Sequence, residues 1–273
     1  MRMRTRAPVV AIAVASVLAL AVGCTYGSGR SGPSPDSGSG LPQTDQPVDL
    51  NPSDFSTEID NTYWPMVPGT RWIYHEADAD GGVLRVVVTV TGETKEIANG
   101  VTARVVRDTV SRGGEVIEDT FDWYAQDDRG TIWYLGEDTA EFENGTVTSR
   151  EGSFEAGVDG ALPGVIIPGQ PVVGLSYRQE YFAGEAEDNG QVLSLDEMAD
   201  TPAGHFDDAL LTKDTITIEP DVLEYKLYAP GVGPVLTLGV SGGAGREELV
   251  EITEVSPEVA HAAGTTPLGQ PYE

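Results

Sequence analysis

Short runs of β-branched and aromatic residues, broken at roughly ten-residue intervals by glycine-bearing turns, fill the chain beyond residue 55 and restrict it to antiparallel β structure. The run VLRVVVTV at 83–90 is one example. Asn99-Gly100, set between Ile97-Ala98 and Val101-Thr102, is a strong hairpin signal, because both turn positions take positive φ and these two residues tolerate it. Residues 101–110 then lead into Arg112-Gly113-Gly114-Glu115, after which Val116 opens another strand. Asn144-Gly145 and Asn189-Gly190 repeat the signal, and Pro230-Gly231-Val232-Gly233 joins VLEYKLYA to PVLTLGV. Helical periodicity is weak, with residues 193–199 read as one short helical turn. No βαβ alternation and no glycine-rich phosphate loop occurs. The expected fold is all-β: one domain over residues 55–255, a strongly curved antiparallel sheet or open half-barrel built from hairpins.

The first residues belong to a different physical regime. Arg2, Arg4 and Arg6 precede an uncharged run over residues 7–23 that ends at Cys24, the single cysteine. A basic start, a short apolar stretch and small residues before the stop form an export signal. Ala21-Val22-Gly23-Cys24 resembles a lipobox, although Leu20 sits one position early; an ordinary cleaved signal peptide and an uncleaved anchor are the alternatives. Residues 1–23 are thus read as a lipoprotein signal, with Cys24 acylated and the chain held by lipid at the extracytoplasmic face of a bacterial membrane. One cysteine supports no disulfide framework, and acylation would remove its thiol from any chemistry. Residues 24–54, rich in Gly, Ser, Pro and Asp, bury too little to offset chain entropy and are expected to be a disordered tether. Residues 256–273 are expected to be a disordered tail.

Charge narrows the partners. The chain carries 16 Lys plus Arg against 44 Asp plus Glu; with the three signal arginines removed, 13 basic residues face 44 acidic ones, a net charge of −31. That field repels phosphate backbones and excludes nucleic acid as a natural partner. The enzyme signatures are missing. His75, His205 and His261 stand at no metal-ligand spacing, no G-x-S-x-G elbow exists, and the lysines are Lys95, Lys213 and Lys226. No cofactor motif is present and the protein is expected not to be an enzyme. No metal site is expected. The acidic groups Glu137, Asp138, Glu141 and Glu143, and Glu185, Glu187 and Asp188, would matter for Ca²⁺ only if their loops met in space. Asp78-Ala79-Asp80-Gly81 lacks the bidentate acid of an EF-hand, since Val87 stands there.

Aromatic residues carry the remaining signal. FDWYAQDDRGTIWYLGEDT, at 121–139, reads as a hairpin. With Gly130 left-handed and Gln126 opposite Thr131, Trp123 would face Tyr134 and Tyr124 would face Trp133. On that register Phe121, Trp123, Ile132 and Tyr134 belong to a core, while Tyr124, Trp133 and Leu135 form a second face covered by water, another layer or a ligand. The proline-broken stretch 155–174 keeps six apolar residues, Ile166 and Ile167 among them, and reads as a surface connection or as the rim of an apolar cavity. Tyr124, Trp133, Leu135, Ile166 and Ile167 are the candidate ligand-binding set.

YWPMVPGTRWIY, FDWYAQDDRGTIWYLGEDT, TPAGHFDDALLTKD and YKLYAPGVGPV together resemble an uncharacterised family of bacterial secreted proteins and lipoproteins, over residues 62–255. The shape implied is similar to the half-barrels of lipoprotein carriers. That resemblance implies a fold and a compartment and carries no catalytic or binding residue. The expected role is non-catalytic binding of a hydrophobic or amphipathic ligand, or of an envelope partner. The alternatives are a structural lipoprotein with an acidic, calcium-assisted surface, and a hydrolase of envelope glycans working through an acid pair.

Overall fold

The structure, a computed structural model, describes residues 40–77, 82–242 and 245–272. Cys24 and the Asp78–Gly81 stretch lie outside them. A turn of 3-10 helix at Pro52–Asp54 leads into β1 (Phe55–Ser56). A first meander comprises β2 (Thr70–Ala77), β3 (Val83–Glu96), β4 (Thr102–Arg112), β5 (Glu115–Asp127) and β6 (Ile132–Glu143). Four short strands follow: β7 (Thr146–Ser149), β8 (Phe154–Glu155), β9 (Gly164–Ile167) and β10 (Ser176–Arg178). The second meander is β11 (Asp188–Thr201), β12 (Gly204–Ile216), β13 (Leu223–Ala229), β14 (Gly233–Ser241) and β15 (Arg246–Glu254), and helix α1 (Pro257–Thr265) follows it.

Every ladder is antiparallel, and β15 pairs with β2, so the two meanders form one sheet in the order β10 to β15, then β2 to β7. Strands β8 and β9 add to β6, and β1 to β5. The sheet is curved and its ladder does not close. Across the seam between β9 and β10 lies a single bridge, in which the Leu162 amide donates to the Tyr181 carbonyl at 2.8 Å. Arg178, 1% exposed, staples this seam. Its guanidinium donates to the carbonyls of Pro163 (2.7 Å), Thr44 (2.6 Å) and Gln46 (2.8 Å).

Those last two partners correct the boundary of the expected tether. Residues 40–54 are docked on the sheet, with the Arg178 amide donating to Pro42 and the Gln43 side chain to the Ser176 carbonyl. Composition alone marks this stretch as chain without a core; a buried arginine that needs carbonyl acceptors holds it down. The expected disordered tail is corrected likewise. Ser256 caps α1, whose Ala260 and Ala263 pack inward against β3 and β4. Arg107, fully buried on β4, pairs with Asp119 (Nε to Oδ1 2.9 Å) and donates to the carbonyls of Ala263 and Thr266, both at 3.0 Å. Asp119 in turn accepts from the Gly269 amide at 2.7 Å. Tyr272 lies over the Arg107 guanidinium, 4.3 Å from plane centre to charge.

Two turn expectations also change. Residues 193–199 are not helical: they lie in β11, whose three register shifts against β12 break the alternation that identifies a strand. Asn189-Gly190 is no turn but part of that same strand. Its glycine is required for another reason: a Cβ on Gly190 would lie 2.6 Å from the Tyr177 ring. Asn144-Gly145 is the expected tight turn, with φ of 52° and 73°.

Removing Arg107 should strand Asp119 as an unpaired buried charge and undock the tail. Arg107→Met is expected to cost about 3–5 kcal/mol in urea unfolding. The paired replacement Arg107→Met/Asp119→Leu should recover most of that loss, while both proteins become cleavable between residues 256 and 272 under limited proteolysis.

Candidate functional site

The face turned toward the concave side can be traced through the register. Because side chains alternate along a strand, partners across a ladder share a face. Tyr134 opposes Tyr124, Glu137 opposes Asp122, and Asp122 opposes Val106. Asp108 opposes Val88, Tyr74 opposes Val86 and Leu249, and Glu247 opposes Glu76. Thr237 links Glu247 to Lys226, and Thr212 links Lys226 to Val192. One continuous surface therefore runs from β11 to β6.

Its two ends differ in chemistry. At one end Trp64 contacts Tyr124 of β5 (ring centres 5.5 Å apart) and Tyr228 of β13 (6.1 Å), so the opposite arms of the sheet meet on one indole. Tyr124 stacks on Tyr134 at 5.0 Å, and Phe154 meets Tyr134 edge-on. The segment holding Trp64 is tied down because the Gly231 amide donates to the Thr62 carbonyl at 2.7 Å, while Trp72 and Tyr74 of β2 donate to the carbonyls of Val232 (2.8 Å) and Pro234 (3.0 Å) in the same turn. Leu210, Val235 and Leu249 complete an apolar floor with no exposure.

At the other end the surface is acidic. Asp108, Glu118, Asp122, Glu137, Asp188 and Glu247 are half-buried there: protein surrounds them, yet water reaches them. Burial is the chief cause that lifts their carboxyls, to about 7 for Glu118 and Glu247, about 6 for Asp122 and Asp188, and about 8 for Glu137; Asp108 also rises. Neighbouring acids add to the shifts: Glu137 feels Asp122, and Asp108 feels Asp122 and Glu247. Lys226 is set into this wall, 3.3 Å from Asp214 and 3.5 Å from Glu224. Burial alone would lower its pKa, but Asp214 and Glu224 outweigh that and keep the ammonium charged.

The Tyr134 hydroxyl lies 2.7 Å from Asp122 Oδ1 and 2.6 Å from Glu137 Oε2. One hydroxyl has one proton to give, so the second contact requires a protonated carboxyl. Glu137, the more strongly raised of the two, is the acid that holds it. Other polar atoms on this face find no protein partner. Tyr177 is 1% exposed and Asp214 6%, and the Tyr177 hydroxyl, Asp214 Oδ1 and Asp108 Oδ1 are all unpaired, as is the Trp64 indole N–H at the floor. The Tyr177 ring lies across Gly190, which pairs with Asp214, and the Asp214 charge adds to burial in raising the Tyr177 hydroxyl's pKa.

The sequence-predicted set is dispersed. Gly130 is left-handed, with φ of 83°, as expected. The Asp127 amide bonds to Thr131, however, so Gln126 pairs with Ile132 instead of Thr131. Tyr124 therefore meets Tyr134, not Trp133, and joins the inner surface; the shift between Asp122 and Tyr124 then resets the pairing above it. Trp133 turns to the outer face, donates to Asp127 Oδ2 at 3.0 Å and packs edge-on to Phe55. Leu135 and Ile167 are fully buried, while Ile166 is half-buried in β9. The 155–174 stretch augments β6 through β8 and β9. Of the acids noted for Ca²⁺, Glu137 faces the inner surface, Asp138 bonds Arg150 on the outside, Glu185 is exposed and Glu187 accepts from the Gly184 amide. Among the described residues no group of three or more metal-ligating side chains converges. In the sequence Glu137 and Asp188 stand out only as loop acids, and Asp108, Glu118, Asp122 and Glu247 do not stand out at all, because they stand singly on separate strands and only the register brings them to one face.

Several surface cavities lie elsewhere. One of about 500 Å³ beside Trp133 is lined by Leu41, Pro168, Val172 and Leu175. Another of about 350 Å³ sits between the β3–β4 pair and Tyr272. Neither gathers unpaired buried polar atoms as the inner face does.

Fold and site define an open antiparallel half-barrel with an aromatic floor and an acidic mouth. No protein-family model and no curated protein matches the chain. Among solved structures it is similar to one described as a putative lipoprotein from Parabacteroides distasonis, at 15% identity over 71% of this chain and 99% of that one, TM-score 0.41. It is also similar to a β-barrel-like protein of a domain of unknown function, DUF1849, from Brucella abortus, at 13% identity over 68% and 98%, TM-score 0.31. At these levels the likeness assigns no residue a role.

A carboxyl whose pKa rises on folding stabilises the protein below its unfolded value and loses that contribution as pH climbs through the folded one. For Glu118, Glu137 and Glu247, at about 7 to 8 against an ordinary 4.5, the window lies between pH 4.5 and 8. The melting temperature is expected to fall as pH is raised across that window. Glu137→Gln, which fixes the neutral form, should flatten the slope and leave the variant more stable than the parent at pH 8; an unchanged slope would refute the assignment of Glu137.

Proposed function

We propose that the protein is a lipid-anchored extracytoplasmic binding protein that takes an amphipathic ligand on the inner face of its half-barrel without transforming it. The observation that carries this reading is the pairing, on one continuous surface, of a ring-lined floor with a water-reached mouth holding unpaired polar atoms. Ligand sites combine apolar walls with a few converging polar groups in this way. Buried polar atoms without partners are costly, and a ligand or ordered water that satisfies them recovers that cost. The histidines offer no catalytic base on this surface: His75, His205 and His261 are exposed, and the last two pair with Asp200 and Glu93.

Anchoring rests on the basic start, the apolar run and the lipobox-like approach to Cys24. Acylation there would place the docked 40–54 segment, and with it the seam, nearest the membrane along the chain. Cys24→Ser should move the protein from the membrane fraction into the soluble one.

Native mass spectrometry of the full chain from its own host, released in mild detergent, should show a co-purifying small amphiphile. Its occupancy is expected to fall at least several-fold in Tyr124→Ala. Bare protein throughout, with no added mass, would overturn the ligand reading. A second reading is favoured by one feature, the Asp122–Tyr134–Glu137 group, in which one carboxyl is protonated and its neighbour is more easily ionised. Such a pair suits acid–base chemistry on a glycan. Turnover of envelope glycan fragments that disappears in both Asp122→Asn and Glu137→Gln would favour it over simple binding.

A further inference from the structure

We propose that the ligand of the inner face is an organic cation, an ammonium-bearing amphiphile whose charged head sits among the mouth carboxyls. This rests on the binding reading above and specifies the chemistry of the same surface.

Three observations converge on a cation. The first is the imbalance of charge. Asp108, Glu118, Asp122, Glu137 and Glu247 share the mouth, while Lys226, the ammonium built into the opposite wall, is already held by Asp214 and Glu224. An incoming anion would meet that field as a like charge in a low-dielectric enclosure; a cation would relieve it. The second is the kind of atom left without a partner. Toward the acidic end, Asp108 Oδ1 and Asp214 Oδ1 are acceptors and the Tyr177 and Thr212 hydroxyls can accept as well, whereas the unpaired donor of this face, the Trp64 indole N–H, lies in the buried floor. The complement is therefore a donor, and an ammonium offers up to three N–H groups with a matching charge. The third is access. The mouth carboxyls are half-buried and reached by water, whereas Tyr124, Tyr134, Tyr228 and Trp64 are 2–9% exposed and fill the core beneath them, so the part of this surface open to a ligand is the acidic one. An ordinary fatty acid inverts the arrangement, bringing a carboxylate to the acidic end.

Binding of matched twelve-carbon probes to the full chain carrying Cys24→Ser tests this by isothermal titration at pH 7.5. The probes are dodecylammonium, dodecanoate and neutral dodecanol, each below its aggregation threshold. Dodecylammonium is expected to bind at least ten times more tightly than dodecanoate. Glu118→Gln and Asp122→Asn should each weaken it several-fold, while Glu251→Gln, which removes the same charge opposite Ile73 on the outer face, should leave it unchanged. The amide variants mimic protonated side chains and so spare the fold, which their melting curves verify. Equal binding of the three probes, a preference for dodecanoate, or an equal effect of Glu251→Gln would overturn the cationic assignment and leave the ligand reading intact. Failure of every probe, together with bare protein in native mass spectrometry, would overturn both.

Discussion

The ladder between β15 and β2 is the pairing on which the rest of the molecule depends. It joins the last strand of the second meander to the first strand of the first, through partners from Arg246 opposite Ala77 to Glu254 opposite Thr70. Without it there would be two separate meanders, each with an exposed apolar face and unpaired edges. With it there is one sheet long enough to curve until Tyr124 and Tyr228 reach the same indole. The pairing is distant in sequence, so loop-closure entropy opposes it and it must form late or be held by what it completes. The apolar floor beneath Leu249 and Tyr74, partners across this ladder, supplies that hold.

Curvature creates the chemistry as well as the core. On a flat sheet the acids of the inner face would be a solvated surface with ordinary pKa values. Enclosure removes much of their water and brings carboxyls from separate strands within each other's field, so several retain protons near neutrality. Burying so many acids with few counter-charges opposes folding, and the apolar floor and buried staples offset it. Arg107 and Arg178 are two such staples. Each is fully enclosed and each fastens a terminal segment by donating to main-chain carbonyls, Arg107 to the C-terminal residues and Arg178 to residues 44–46. Residues 40–54 and 256–272 thereby cover part of the outer face, while the inner face keeps its unpaired atoms.

How much of this could be read in advance varies by residue. The strands around Asn99-Gly100, Gly113-Gly114 and Pro230–Gly233 were legible because turn chemistry is local: φ is set by the residue itself. The register at Gln126 was not, since the backbone bond between Asp127 and Thr131 shifts every partner beyond it, and a one-residue slip sends Trp133 to the opposite face from Tyr124. Asn189-Gly190 carried a turn signal that tertiary context overrode, the glycine serving the Tyr177 ring instead. Residues 40–54 and 256–272 looked like unstructured chain because their own composition holds no core; their order comes from arginines more than fifty residues away in sequence.

By itself the amino-acid sequence determined the β class, most hairpin turns and the overall acidity, because each follows from local backbone preference or composition. Only the tertiary structure decided which face of each strand turns inward. That decision placed Trp133 outside and Tyr124 on the floor, and gathered Asp108, Glu118, Asp122, Glu137 and Glu247 into one mouth. The reason is geometric. Alternation fixes what two neighbouring strands share, but the side that becomes concave depends on curvature summed over the whole sheet, and no single hairpin contains that information.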